Sequence, residues 1–210
     1  QARKNLKSEI GAKDFDQLVQ ETAAVWRDLL GRIQIEGATP RQQQTFYTCL
    51  YRALLFPRAL YERDEHGTPL HYSPYDGKIH PGVLYADNGF WDTHRTVYPF
   101  LSLLLPERLG EIVEGWVAAY REGGFFPKWA SPGYRACMIG THLDAVVADA
   151  FVKGISGFDA ETAYQAMLKN ATQAGDEDGN YGRRGIEDFD RLGWVPTDRI
   201  EHAASRTQDF

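Results

Sequence analysis

The segment Tyr85–Arg95 concentrates side chains that could bind a polar ligand. Its sequence, YADNGFWDTHR, combines aromatic rings with two carboxylates, an amide, a hydroxyl, an imidazole and a guanidinium. The helical pattern that follows begins near Trp91 or Asp92. Its first turn would carry Asp92, Thr93 and Arg95, where unpaired backbone N–H groups and the positive end of the helix dipole face a ligand. Carboxylates accept hydrogen bonds from hydroxyls and aromatic faces cover C–H groups, so the segment favours a hydroxyl-rich ligand.

A structural interpretation of the same residues is equally open at this point. Asp is a preferred N-cap residue, so Asp92 could simply begin its helix, with Trp91 in the core.

Three further aspartates could supply acid–base chemistry. Asp87 precedes the same helix, and Asp144 and Asp149 lie on a later helical pattern. Two carboxylates flanking a glycosidic bond can act as general acid and general base, about 6.5–9.5 Å apart when the reaction inverts configuration. The sequence leaves open which two of these groups, Asp92 included, lie at that distance. Asp144 also fits a capping box that begins at Thr141.

Other chemistries find weaker support. The histidines at 66, 71 and 80, and His142 with Asp144, lack the spacing of a zinc site, so we expect no metal ligands from these residues. The acidic loop 176–180 lacks the glutamate that completes a calcium-binding EF-hand. Cys137 with His142 is the only neighbouring Cys/His pair, and nothing in its sequence surroundings would activate the thiol.

Composition restricts the partners. The 210 residues carry a net charge of −6 and no basic stripe, which argues against nucleic acid and against anionic membrane surfaces. No apolar run approaches the roughly 20 residues of a membrane span, and no signal-peptide pattern is present, so localisation stays open between the cytoplasm and export.

The chain reads as sequential helix pairs separated by long aromatic and polar loops. Caps and apolar spacing predict helices from Asp14 to Gly37 and from Thr39 to Pro57, and further helices over 91–104, 106–123, 141–154, 160–174 and 185–192, with a last start after Asp198. Pro99 predicts a kink in the third of these helices. Loops 57–90, 125–140 and 175–182 connect them, and no convincing strand alternation is visible. We therefore expect an all-α fold in which paired helices form part of an (α/α)6 toroid, with the long loops on the active face.

Five ordered motifs resemble one known family. They are FYTCLYR at 46–52, DNGFWDTHR at 87–95, CMIGTH at 137–142, ADAFVKG at 148–154 and LGWVPTD at 192–198. In order and spacing they resemble glycoside hydrolase family 92, a family of calcium-dependent, inverting exo-α-mannosidases whose N-terminal β-sandwich packs on an (α/α)6 barrel. Residues 1–210 resemble the first part of that barrel.

The resemblance implies that Asp92 binds hydroxyls of a terminal mannose, with Trp91, Thr93, Arg95 and His142 shaping the pocket. It also implies a mannose-containing oligosaccharide as substrate, Ca²⁺ as cofactor and the remainder of the barrel as partner. His94 departs from the pattern, since a larger aromatic residue is expected there.

The same resemblance places the general acid, the general base and most calcium ligands beyond Phe210. The β-sandwich and the rest of the barrel would then be absent from this chain, and we expect no hydrolysis by the chain alone. The alternative is a non-catalytic helical module that binds glycans or another protein.

Overall fold

The computed structural model describes residues 2–198. They divide into two compact units, each described here by itself: one comprises residues 2–56 and 62–68, the other residues 57–61 and 69–198. Nine helices lie within residues 2–198: α1 (Ala2–Glu9), α2 (Phe15–Gly31), α3 (Pro40–Ala53), α4 (Phe90–Thr93), α5 (Val97–Leu104), α6 (Pro106–Gly123), α7 (Leu143–Val152), α8 (Ala160–Thr172) and α9 (Ile186–Leu192). The same residues form seven strands: β1 (Arg58–Ala59), β2 (Glu62–Arg63), β3 (Pro69–Tyr72), β4 (Ile79–Pro81), β5 (Tyr85–Ala86), β6 (Asn88–Gly89) and β7 (Trp129–Ala130).

The first unit contains the α2–α3 hairpin. Asp14 begins α2 and Thr39 begins α3 through capping boxes with Gln17 and Gln42, and Pro40 occupies the first turn of α3, as predicted. Helix α2 ends at Gly31 rather than at Gly37.

Helix α6 is the core of the second unit. Its side chains at Val113, Trp116 and Val117 are completely buried, and the helix packs against α5, α7 and α8. Burying side chains of this size removes enough apolar surface from water to contribute about 1.5–3 kcal/mol each. Phe90 meets Trp116 edge to face at 5.2 Å, so the core extends directly beneath α4.

Two glycines let the backbone approach α6 closely. A Cβ atom at Gly110 would lie 1.9 Å from the Ser156 carbonyl oxygen, and one at Gly115 would lie 2.7 Å from the Tyr85 ring. Glycine at these positions therefore sets the distance between α6 and the segments that cover it.

The all-α prediction, with the helices as part of an (α/α)6 toroid, is wrong, because the structure mixes helices with short antiparallel strands. β1 pairs with β5, β3 pairs with β4, and β6 pairs with β7. The strands are two to four residues long, and two residues cannot display the alternation by which a strand is recognised in a sequence. The β3–β4 hairpin lies within loop 57–90, where the sequence is rich in the turn-forming residues glycine and proline.

The single helix predicted over 91–104 is divided into α4 and α5. The break falls at 94–96, where Thr96 adopts φ −128° and ψ −77°, and not at Pro99. Pro99 instead occupies the first turn of α5, where its missing N–H has no helical partner to lose.

The remaining predicted helices agree more closely with the structure. Pro106 begins α6, and Gly124 in the left-handed conformation ends it. Asp159 caps α8 by accepting from the Thr162 N–H (3.1 Å), and Gly193 ends α9. The helical start predicted after Asp198 lies outside the described residues. Among residues 2–198, none of the helices has both the length and the apolar character that crossing a membrane would require.

The close packing at Gly110 gives a stability test. Gly110→Ala should lower the free energy of unfolding by about 2 kcal/mol or more, because the new methyl group collides with a backbone carbonyl. Gly31→Ala is the matched control: no atom lies within 4 Å of its Cβ position, and alanine should stabilise the helix by up to about 1 kcal/mol. Urea unfolding of both variants measures the difference, and equal stabilities would contradict the packing at Gly110.

Candidate active site

The site begins with the pairing of β6 and β7. Asn88 lies opposite Ala130 and Gly89 lies opposite Trp129. A Cβ atom at Gly89 would fall 2.0 Å from the Trp129 ring, so only glycine lets this ring lie against the strand. The β6–β7 pairing thus fixes the position of Gly89, which immediately precedes α4.

A buried amide orients α4. The Asn88 side chain accepts from the Tyr98 hydroxyl (3.0 Å), while the Thr93 hydroxyl lies 3.1 Å from Asn88 Oδ1 and 3.0 Å from the Gly89 carbonyl oxygen. Asn88 is only 4% exposed, and a buried polar group needs such partners to offset the loss of water. Thr93 therefore holds the backbone in place, which is a supporting role.

Asp92 does not cap its helix. The N-cap of α4 is Gly89, and the helix begins at Phe90, one or two residues before the predicted start. Asp92 consequently lies inside the first turn with an exposed side chain, beside the half-buried Trp91. A carboxylate in the first turn is favoured by the helix dipole and keeps its oxygens available to hydroxyl donors.

Two stacked imidazoles form the next part of the site. The rings of His94 and His142 are parallel, with centroids 4.3 Å apart and planes 2° apart. His94 Nδ1 lies 2.9 Å from the Phe90 carbonyl oxygen and 3.1 Å from that of Trp91, so this nitrogen carries the proton and donates it. In the neutral ring, His94 Nε2 is then a hydrogen-bond acceptor.

His142 is held in its neutral form. Burial lowers its pKa to about 4, and the nearby His94, Arg95 and Lys128 lower it further in the same direction. Its Nε2 atom is buried and has no hydrogen-bond partner among residues 2–198. A buried polar atom of this kind is costly, and such atoms concentrate where function requires them.

Glycine makes room for this ring. Gly140 has φ +90°, and a Cβ atom there would lie 2.1 Å from His142 Nε2. The segment before α7 can therefore reach the imidazole only with glycine at this position.

The predicted site residues fall into two groups. Arg95 lies near enough to His142 to lower its pKa, and the His142 ring stacks on the ring of His94, at the end of α4. Thr93 contacts Asn88 and Gly89 instead, and Asp92 and Trp91 precede it on α4 without a hydrogen bond from either side chain to another described residue.

Two contributors to this site escaped the sequence analysis. Asn88 lies within the DNGFWDTHR motif, and Lys128, which is 2% exposed, stands in an aromatic and proline-rich run. A lysine within an otherwise apolar run is a signal that could have suggested a functional cation.

The other candidate carboxylates are engaged in structural contacts. Asp87, which has φ +60°, pairs with the Arg58 guanidinium and accepts from the Ser131 hydroxyl (2.9 Å). Asp149 pairs with Lys153 at 2.7 Å.

Asp144 joins α7 to α8 rather than closing a capping box. Its oxygens accept from Asn170 Nδ2 (2.9 Å) and Arg183 Nη2 (3.2 Å), and the N-cap residue of α7 is His142. Burial, partly offset by Asn170 and Arg183, raises the pKa of Asp144 to about 6. These contacts give Asp144 a role in helix packing.

The described residues do not fit a calcium site. No group of three or more His, Cys, Asp or Glu side chains converges within residues 2–198. Asp176, in the acidic loop, already accepts from the backbone N–H (2.7 Å) and the side-chain amide (2.5 Å) of Asn180. A calcium ion needs six to eight oxygen ligands, and this loop leaves too few of them.

The lowered pKa of His142 can be measured directly. By ¹⁵N NMR its imidazole should stay neutral as the pH falls to 5 and take up a proton only near pH 4. Because the unfolded chain binds this proton with a pKa near 6.5, the native state loses stability as the pH falls from 6.5 to 4.

A variant isolates this contribution to the pH dependence. His142→Gln should lose less stability than the wild type between pH 7 and pH 5. Titration of His142 at or above pH 6.5 would contradict the arrangement of cations around it. The exposed His66 provides a reference signal in the same spectra.

The comparisons with known proteins agree on one family. The model of the glycosyl hydrolase family 92 catalytic domain matches residues 1–210. A family GH92 inverting mannosidase from Bacteroides thetaiotaomicron aligns with TM-score 0.92 and 44% sequence identity, over 98% of this chain and 28% of its own. A family GH92 α-mannosidase from the same bacterium, in complex with mannoimidazole, aligns with TM-score 0.84 and 28% identity, over 99% of this chain and 26% of its own.

A curated relative is more distant. An uncharacterized secreted glycosidase of Arthroderma benhamiae is 24% identical over 208 residues, which are 96% of this chain and 22% of the relative. The chain thus spans about a quarter of the length of the proteins it matches. Since the family model covers every residue, the chain belongs to glycosyl hydrolase family 92.

Proposed function

We propose that this chain supplies part of the mannose-binding pocket of an exo-acting α-mannosidase that hydrolyses α-mannosides of the N-glycan or mannan type with inversion. The observation that carries the proposal is the family match over residues 1–210. The match to an inverting mannosidase and to a mannosidase that binds mannoimidazole supports both the sugar and the stereochemistry.

The geometry around α4 suits a hydroxyl-rich ring. Asp92 offers acceptor oxygens, Arg95 offers donors, and the half-buried Trp91 ring can cover the apolar face of a sugar. The uncharged His142 adds a polar group without a further positive charge. Such a set can discriminate by hydroxyl position, because a polar group that a bound ligand covers without pairing costs binding free energy.

The role proposed for these residues is binding and orientation. Inverting hydrolysis requires one acid and one base, about 6.5–9.5 Å apart on opposite sides of the glycosidic bond. Within residues 2–198, Asp87, Asp144 and Asp149 are each committed to a neighbouring cation. The family resemblance supports a catalytic acid and base outside these residues, so we propose that residues 2–198 alone would not hydrolyse the substrate.

Calcium is proposed from the family resemblance only. When bound, it would supply electrostatic stabilisation of the sugar hydroxyls and of the attacking water. The described residues do not offer it a ligand set, so no step is assigned to the ion here.

Asp92 provides the first test. Asp92→Asn in the full-length protein should lower kcat/KM for an aryl α-mannoside at least about a hundredfold, because a carboxylate that positions the sugar is lost. Folding should not change, since the side chain is exposed and does not cap α4. Asp16→Asn, an exposed aspartate in the first turn of α2, is the matched control and should leave kcat/KM unchanged.

The result distinguishes the two candidate functions, an α-mannosidase and a non-catalytic binding module. An unchanged kcat/KM in Asp92→Asn would remove Asp92 from the sugar site. Specific mannose binding by a wild-type full-length protein that shows no turnover would instead favour a glycan-binding module.

The proposed calcium requirement has its own test. Chelation by EDTA should abolish turnover by the full-length protein, and added Ca²⁺ should restore it. The His142 titration should be unaffected, since no calcium ligands are assigned among its neighbours. Full activity after exhaustive chelation would exclude the requirement.

A further inference from the structure

A concave surface in the larger unit is lined by none of the residues 90–95 and not by His142. It is a cleft of about 470 Å³ between the turn of the β3–β4 hairpin, the segment after β7 and the loop before α9. The aromatic residues that line it are Tyr75, Tyr134 and Tyr181. Its principal polar contributors are Ser131, Arg135 and Asn180.

The three tyrosines form one continuous cluster. Tyr134 is central, with ring centroids 4.7 Å from Tyr75 and 4.8 Å from Tyr181. The two neighbouring rings are inclined to Tyr134 by 67° and 52°. Sugars stack their C–H groups on such aromatic surfaces.

The central ring is held rigidly. The Tyr134 hydroxyl donates to the Phe125 carbonyl oxygen (2.6 Å) and accepts from the Phe125 N–H (3.0 Å). A Cβ atom at Gly123 would lie 2.4 Å from this hydroxyl, so glycine is needed for the approach. The ring therefore loses little conformational entropy when a ligand binds.

Tyr181, which lines one side of the cleft, is held in place by the loop 175–182. Tyr181 stacks on Phe125 at 4.7 Å and 22°, and its backbone pairs with Pro127. The base of the loop is closed by Gly175 and Gly182, where a Cβ atom at Gly182 would lie 2.5 Å from the Gly175 Cα. Arg183, next in sequence, is anchored to Thr141 and Asp144.

Tyr75, which also lines the cleft, is held in place through a buried ion pair. The β3–β4 hairpin is tied to α6 through His71, whose Nε2 lies 2.8 Å from Glu122 Oε1. The two side chains are 0% and 6% exposed. Burial opposes protonation of His71, but the hydrogen bonds to Glu122 and Gly82 prevail and raise its pKa. Tyr75 lies in the turn of this hairpin and packs against Leu84 in the core.

Polar groups at the rim remain available to a ligand. Arg135 uses Nε to donate to the Ser131 carbonyl oxygen (2.9 Å), and its terminal Nη groups have no partner among residues 2–198. Asn180 donates through its amide nitrogen to Asp176, which leaves Oδ1 as an acceptor. Rigid aromatic walls with a few donors and acceptors at fixed positions are the usual chemistry of saccharide recognition.

We propose that this cleft is a saccharide subsite that binds sugar residues of the substrate other than the terminal mannose, by stacking on the tyrosine cluster. Asp87 connects it to the Asp92 surface, since it accepts from Ser131 and lies five residues before Asp92. Five residues span at most about 18 Å, which limits the distance between the Asp87 and Asp92 Cα atoms. The identity of the sugar as mannose rests on the proposed function.

The test compares a monosaccharide with a longer ligand. Dissociation constants of the full-length protein are measured calorimetrically for methyl α-mannoside and for a sulfur-linked, non-hydrolysable α-mannotriose. Tyr181→Ala and Arg135→Ala should each raise Kd for the mannotriose about three- to tenfold and leave Kd for methyl α-mannoside unchanged. Tyr164→Ala is the matched control, because this tyrosine is 54% exposed on α8 and does not line the cleft.

The outcomes separate this inference from the proposed function. Unchanged mannotriose affinity in both cleft variants would overturn the subsite, and so would an equal loss of affinity for both ligands. Arg135 is exposed, so its variant decides the question if Tyr181→Ala does not fold. These measurements do not depend on turnover, whereas failure of the proposed function would appear as unaltered hydrolysis in Asp92→Asn.

Discussion

The buried amide of Asn88 is the interaction on which the Asp92 site depends. Its oxygen is shared between the hydroxyls of Tyr98 and Thr93, one from α5 and one from α4. The two helices are separated by a break at 94–96, so nothing in the backbone alone fixes the angle between them. A neutral hydrogen bond contributes only about 0.5–1.5 kcal/mol, but leaving the buried acceptor unsatisfied would cost more. The amide therefore holds α4, which carries Asp92, and α5 in one arrangement.

Electrostatics sets the protonation state of His142 near neutral pH. Burial, together with the nearby Arg95 and Lys128 side chains, keeps its imidazole neutral. A protonated His142 would add a positive charge close to the Arg95 and Lys128 side chains.

Local signals in the sequence predicted what depends on local physics. Asp14, Thr39 and Asp159 cap helices because each side chain reaches a backbone N–H a few residues away, and this information is contained in short motifs. The capping-box prediction for Asp144 was wrong, because Arg183 and Asn170, which are distant in sequence, donate hydrogen bonds to its carboxylate. The short strands were not predicted for a related reason. β6 and β7 pair although 40 residues separate Gly89 from Trp129, and neither strand is long enough to show the two-residue alternation of a strand. The roles of the site residues named from the family motifs stay predictions, whereas the contacts that support them, such as that of Asn88 with Tyr98, are visible only in the structure.

The distribution of carboxylates now limits how this part of the family fold can work. Asp87, Asp144 and Asp149 each face a cation that already engages their oxygens. Asp92 differs, since its exposed position in the first turn of α4 leaves its oxygens without a protein partner within residues 2–198. One uncommitted carboxylate can bind and orient a sugar, but it cannot be both acid and base on opposite sides of a glycosidic bond. We therefore propose that this segment contributes positioning of the sugar and that proton transfer depends on residues outside 2–198.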